Sequence, residues 1–223
     1  MNIHKYIAEF VGTFCLVFVG TCAIVSNDLY GGGVTETGIA LTFGMTVMAM
    51  IYSIGDLSGA HINPAVSVAF WADGRFPGKD VLPYIVAQCA GALVASLAVL
   101  GLCGPHDSLG ATIPGGGLIQ AFIMEIILTL ILMFVILRVA SGSKESGIMA
   151  GAAIGVTVTL ASIAAGPISG ASMNPARSLG PAVISGQIAP LWIYLIAPFV
   201  GASLAVPLNR LVSIAKSNES EED

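Results

Sequence analysis

The chain has 223 residues, of which 56% are hydrophobic and only 9% charged, against about 25% charged in an average soluble domain. With 27 glycines, 11 prolines and a net charge of −5, this composition excludes a water-soluble globule, whose surface needs far more charge. Eight basic residues scattered along the chain form no cationic face, which argues against nucleic acid as a partner.

A bilayer core about 30 Å thick needs roughly 20 apolar residues per helix. Six stretches reach that length, at about 6–26, 35–55, 82–104, 118–140, 147–166 and 189–212. No small-residue cleavage motif follows the first, so Ile7 to Val25 reads as a retained span rather than a signal peptide. Two further apolar segments, His61 to Ala72 and Asn174 to Ile184, are too short to cross. With both termini in the cytoplasm, Lys5, Arg75, Lys79, Arg138, Lys144, Arg210 and Lys216 all fall inside, as the enrichment of basic residues in cytoplasmic loops requires. Arg177 alone falls on the other side. A charge held at membrane depth is a functional signal.

The two short segments resemble each other. Ser58-Gly-Ala-His-Ile-Asn-Pro-Ala-Val-Ser67 matches Ser169-Gly-Ala-Ser-Met-Asn-Pro-Ala-Arg-Ser178 at seven of ten positions, at an offset of 111. Tyr84 to Ala95 aligns with Tyr194 to Ala205 at an offset of 110, and Glu9 and Glu125 hold matching early positions in spans one and four. The chain is an internal duplication, with halves at about 1–110 and 118–215 in a single channel domain over 1–215 and a short acidic cytoplasmic tail over 216–223. Three spans per half force the second copy to enter the membrane from the opposite side, so the repeats are inverted. This plan places broken helices and a solute site near the midplane.

Proline suits the first turn of a helix and asparagine caps it, so Asn63-Pro64-Ala65 and Asn174-Pro175-Ala176 are each predicted to start a half-helix. Non-helical backbone at that depth survives only where protein or a water-filled cavity satisfies it. Inversion brings two positive helix ends face to face and repels cations, while the two asparagine amides offer donors to neutral, hydroxyl-bearing molecules in single file. Arg177 follows Asn174 by three residues and shares its face of the half-helix. Cys15, Cys22, Cys89 and Cys103 stand apart in apolar surroundings and read as small buried hydrophobes. No metal or cofactor pattern appears, and His4, His61 and His106 join no catalytic constellation.

These residues carry a family resemblance. Ala8-Glu-Phe-Val-Gly-Thr13, Ser58 to Ser67, Trp71-Ala-Asp-Gly-Arg-Phe-Pro77 and Ser169 to Pro181 resemble the aquaporins of the major intrinsic protein family over nearly the whole chain. The resemblance implies an all-α membrane protein of six transmembrane helices and two re-entrant half-helices, with a pore in each subunit of a homotetramer in the plasma or inner membrane. It implies that Glu9 and Glu125 brace the backbone of the two re-entrant loops. It also places the narrowest point at Phe43, Ser162, Ala171 and Arg177, by their distances from Asn63 and Asn174. Phe43 and Arg177 are similar to those of water channels. Ser162 departs from them, because strict water channels have histidine there, and a serine predicts a wider opening. Ser178 and Ala182 resemble water-type members, whereas the tract Ala165 to Ala182 is similar to nodulin-like channels that pass glycerol or metalloid hydroxides. The reading is a passive channel for water, with room for small neutral solutes, that excludes protons and ions. The alternative within the family is a glycerol or metalloid-hydroxide facilitator; the alternative outside it is an alternating-access transporter, whose ion-coupling site only Glu9 and Glu125 are placed to supply.

Overall fold

In a computed structural model of the chain, residues 3–140 and 147–219 are described, with side chains to residue 213. Lys144, the side chain of Lys216 and residues 220–223 lie outside them. The described chain forms eight helices: α1 (His4–Leu29), α2 (Thr35–Ser58), α3 (Pro64–Ala72), α4 (Gly78–Cys103), α5 (Leu118–Val139), α6 (Ala150–Ser169), α7 (Pro175–Ser185) and α8 (Leu191–Glu219). All but α3 and α7 contain a stretch long and apolar enough to cross a membrane. Their polarity is reversed relative to a soluble bundle: Glu9 and Glu125 are fully buried, while Leu97, Ile127 and Leu160 face outward. Lipid is the solvent that tolerates this distribution.

Hydropathy misses what polar contacts add at helix ends. α4 starts at Gly78 rather than near 82, because Asp80 in its first turn accepts from Lys5 Nζ at 2.6 Å and Tyr6 Oη at 2.7 Å and ties that turn to α1. α8 runs through 216–219, so the expected tail begins as helix. The four cysteines, expected as small buried hydrophobes, are free thiols and half-buried rather than buried.

The packing repeats between halves. α1 lies against α4 as α5 lies against α8, α1 against α2 as α5 against α6, and α4 against α7 as α8 against α3, with α2 and α6 closing the bundle. The long crossings depend on missing side chains, since a Cβ on Gly91 would strike the Phe10 carbonyl and one on Gly201 the Ile126 carbonyl. Small residues are what let helices approach in lipid, where no hydrophobic force drives them together. Gly201→Ala is expected to cost about 1–3 kcal/mol by overpacking, read as a lower unfolding midpoint of the detergent-solubilised protein. An unchanged midpoint would contradict so close a crossing.

Candidate functional site

The site begins with the two Asn-Pro starts. Asn63 is extended (φ −157°, ψ 120°) and its Oδ1 accepts from the Ala65 N–H at 2.9 Å, while Pro64 occupies the first turn without a donor to lose. Asn174 does the same for α7, its Oδ1 accepting from Ala176 N at 3.0 Å and Arg177 N at 3.3 Å. With each oxygen committed to its own helix, the amide nitrogens face across. Asn63 Nδ2 donates to the Met173 carbonyl and Asn174 Nδ2 to the Ile62 carbonyl, both at 2.8 Å. α3 and α7 therefore meet start to start, and each amide keeps a second N–H for a molecule lying between them. The positive ends of both helix dipoles converge at that point.

Each half-helix is preceded by a loop held in an unusual shape. Ala60 and Ile62 have φ of 46° and 42°, and Ala171 and Met173 have 43° and 52°, a left-handed region that costs a side-chain-bearing residue about 1–3 kcal/mol. Two buried carboxylates hold them there. Glu9 Oε1 accepts from Ser58 Oγ (2.7 Å) and His61 N (2.9 Å), and its Oε2 from Ile62 N (2.6 Å) and Gln88 Nε2 (2.7 Å). Glu125 Oε1 accepts from Ser169 Oγ (2.8 Å) and Ser172 N (2.9 Å), and its Oε2 from Met173 N (2.7 Å). Tyr84 Oη and Tyr194 Oη tie the loop starts by donating to the Ser58 and Ser169 carbonyls at 2.7 and 2.5 Å. Since peptide N–H and C=O point in opposite directions, amides turned toward a carboxylate turn the carbonyls of residues 60, 61, 171 and 172 away from it. Residues 59–62 and 171–173 line a cavity on that side.

This inner cavity, of about 160 Å³, also includes Asn63 and Asn174 among walls of Val47, Val66, Leu132, Ile136, Ile154 and Val158. An outer cavity of about 180 Å³ is bounded by Asp28, Glu36, Thr112 and Ile113. The two share four lining residues: Phe43, Ser162, Ala171 and Arg177. Arg177 is 5% exposed, its Nη1 donates to the Gly110 carbonyl at 2.8 Å, and its guanidinium carbon lies 4.8 Å from the centre of the Phe43 ring. Its charge forms no ion pair among the described residues.

Several contributors were not visible in the sequence as such. His61 lines the inner cavity, with Nδ1 3.0 Å from Ser67 Oγ and its ring packed on Phe70, Phe76 and Tyr84. Its position two residues before Asn63 was the available signal. Gln88 reaches Glu9 from α4, and the Gly110 carbonyl reaches Arg177 from the 104–117 loop. No periodicity marks either partnership.

The sequence model of the family described as "Major intrinsic protein" matches residues 1–208. Aquaporin NIP1-1 of Zea mays is 46% identical over 201 residues, covering 90% of this chain and 71% of that protein. Nodulin-26 of Glycine max is 46% identical over 201 residues, covering 90% of this chain and 74% of that protein. Among solved structures, the aquaglyceroporin from Plasmodium falciparum superposes with a TM-score of 0.84 at 28% identity, covering 95% of this chain and all of that one.

Proposed function

The chain belongs to the major intrinsic protein family, and from that premise we propose which of its residues select the solute. It is a multi-pass membrane protein and a passive channel for water and small solutes. Phe43, Ser162, Ala171 and Arg177 form the filter, and the observation that carries this is their position as the shared wall of the inner and outer cavities. Asn63-Pro64-Ala65 and Asn174-Pro175-Ala176 form the centre of the path, and Glu9 and Glu125 brace it.

A water leaving the outer cavity sheds neighbours and replaces them with the Arg177 donors and the Ser162 hydroxyl. At the centre it accepts from the remaining N–H groups of Asn63 and Asn174, which turn its own hydrogens outward in both directions and interrupt proton relay. The carbonyls of residues 60–61 and 171–172 offer acceptors along one wall, and the opposite aliphatic wall holds nothing back. Serine at 162 leaves room beside Arg177, so the path admits small uncharged hydroxylated solutes of glycerol size as well as water. That reading agrees with the names of the relatives, which include both aquaporins and an aquaglyceroporin. Both termini lie in the cytoplasm of a plasma or inner membrane, on the distribution of basic residues, and the resemblance supports a homotetramer, to be checked by the mass of the detergent-solubilised particle.

The test is paired water and glycerol flux in proteoliposomes. The natural chain is expected to pass both, with no saturation at modest glycerol concentration. Ser162→His is expected to keep water flux within a few-fold and lower glycerol flux by about tenfold or more, the discrimination a tight pocket achieves against a slightly larger solute. Unchanged glycerol flux would remove Ser162 from the constriction.

A further inference from the structure

The loop between α4 and α5 holds Arg177 from the outer side; Thr112 Oγ1 beside Ser178 Oγ (2.6 Å) and Ala111 N donating to the Ser108 carbonyl (2.9 Å) help to shape it, and an imidazole holds the amides just before Gly110. His106 Nδ1 lies 3.2 Å from the Ser108 amide nitrogen and 3.1 Å from that of Leu109, and accepts from both. A ring nitrogen that accepts carries no hydrogen, so the ring proton sits on Nε2, 3.2 Å from Asp28 Oδ2. Leu109 stands at φ +48°, a conformation that a bulky residue keeps only under constraint. It is 1% exposed and packs with Val25 and Val99. Ser108 Oγ then accepts from Gly110 N at 3.3 Å, and the Gly110 carbonyl accepts from Arg177. An unbroken series of contacts runs from Asp28 through His106 and residues 108–110 to the guanidinium.

We propose that His106 is a positioning residue for Arg177, and that it makes the filter respond to the pH at this mouth of the channel. The proposal rests on the reading of Phe43, Ser162, Ala171 and Arg177 as the filter. A second proton on the ring occupies Nδ1 and turns an acceptor of two N–H groups into a donor aimed at them. The charged groups around the ring decide which side yields. Asp28 on α1 holds the imidazolium through Nε2, with Glu36 of α2 also on the outer cavity and Asp107 next in the loop. The Asp107 carbonyl is tied by Gln187 Nε2 at 3.1 Å, just beyond the end of α7. The cation of Arg177 bonds the carbonyl of Gly110. The ring therefore stays on Asp28, and the amides of Ser108 and Leu109 lose their acceptor. Leu109 loses the bond that opposes its relaxation, Gly110 withdraws its carbonyl, and the guanidinium turns to the lumen for acceptors and narrows it.

The test uses the full chain in proteoliposomes with equal pH on both sides, compared at about pH 7.5 and about pH 5.5, between which a histidine side chain can change charge. Water flux through the natural chain is expected to fall by about threefold or more on acidification, the scale set by one or two lost hydrogen bonds. His106→Asn, whose Oδ1 can accept the same N–H groups and does not titrate, is expected to keep the high flux at both values. His106→Phe, which accepts from neither, is expected to show the low flux at both. A natural chain with equal flux at the two pH values, or a His106→Asn variant that falls as the natural chain does, overturns the proposal. Failure of the filter assignment is seen separately, in an unchanged glycerol flux of Ser162→His at about pH 7.5.

Discussion

Glu9→Gln and Glu125→Gln are each expected to lower the unfolding free energy of the solubilised protein by about 2–5 kcal/mol, the cost of turning buried acceptors into donors. The reason is donor arithmetic. Glu9 receives two hydrogens on each oxygen, including the amides of His61 and Ile62. A glutamine offers one oxygen and one NH₂, so at least one loop amide meets another donor at a fully buried position. The bonds that offset the left-handed φ at Ala60 and Ile62, and at Ala171 and Met173, are weakened at the same time. Asn63 and Asn174 follow those loops directly, so water flux per folded molecule is expected to fall along with stability. Differential scanning fluorimetry in detergent and stopped-flow shrinkage on the same preparation check both parts. Full stability in either variant would mean that the carboxylates do not hold the loops, and would return them to candidates for ion coupling.

How much of this could be read from sequence follows from the range of each interaction. Six spans are legible because burial in lipid is a one-dimensional signal, additive along roughly 20 residues. The starts of α3 and α7 are legible because capping is local: Asn63 and Asn174 act on amides two and three residues away. Phe43, Ser162 and Ala171 are legible only through the family resemblance, which places its narrowest point at fixed distances from those starts; all three line both cavities. What counting does not reach is partnership across the fold. Gln88 meets Glu9 79 positions away in the chain, and Gly110 meets Arg177 67 positions away. The first turn of α4 escapes the sequence for the same reason, since Asp80 looks like loop until Lys5 and Tyr6 are brought beside it.

Arg177→Val is expected to raise the cation and proton leak of proteoliposomes by about two to three orders of magnitude, and to raise glycerol flux as well. A unit charge acting on another about 4 Å away costs about 4 kcal/mol at an effective dielectric constant of 20, and each 1.4 kcal/mol is a factor of ten. The guanidinium can exert that penalty because it is 5% exposed, lines both cavities and is paired with no carboxylate among the described residues. Its partners, the Gly110 carbonyl and the Phe43 ring, orient it without neutralising it. Arg177→Lys separates charge from shape: an ammonium keeps the field but not the planar fork, so it is expected to keep the leak low while changing the ratio of glycerol to water flux. Vesicles loaded with a pH-sensitive dye report the leak under an imposed proton gradient. Were Arg177→Val as tight to protons as the natural chain, exclusion would belong to the opposed starts of α3 and α7 alone, where two helix dipoles and two asparagine amides already face a passing cation with positive ends.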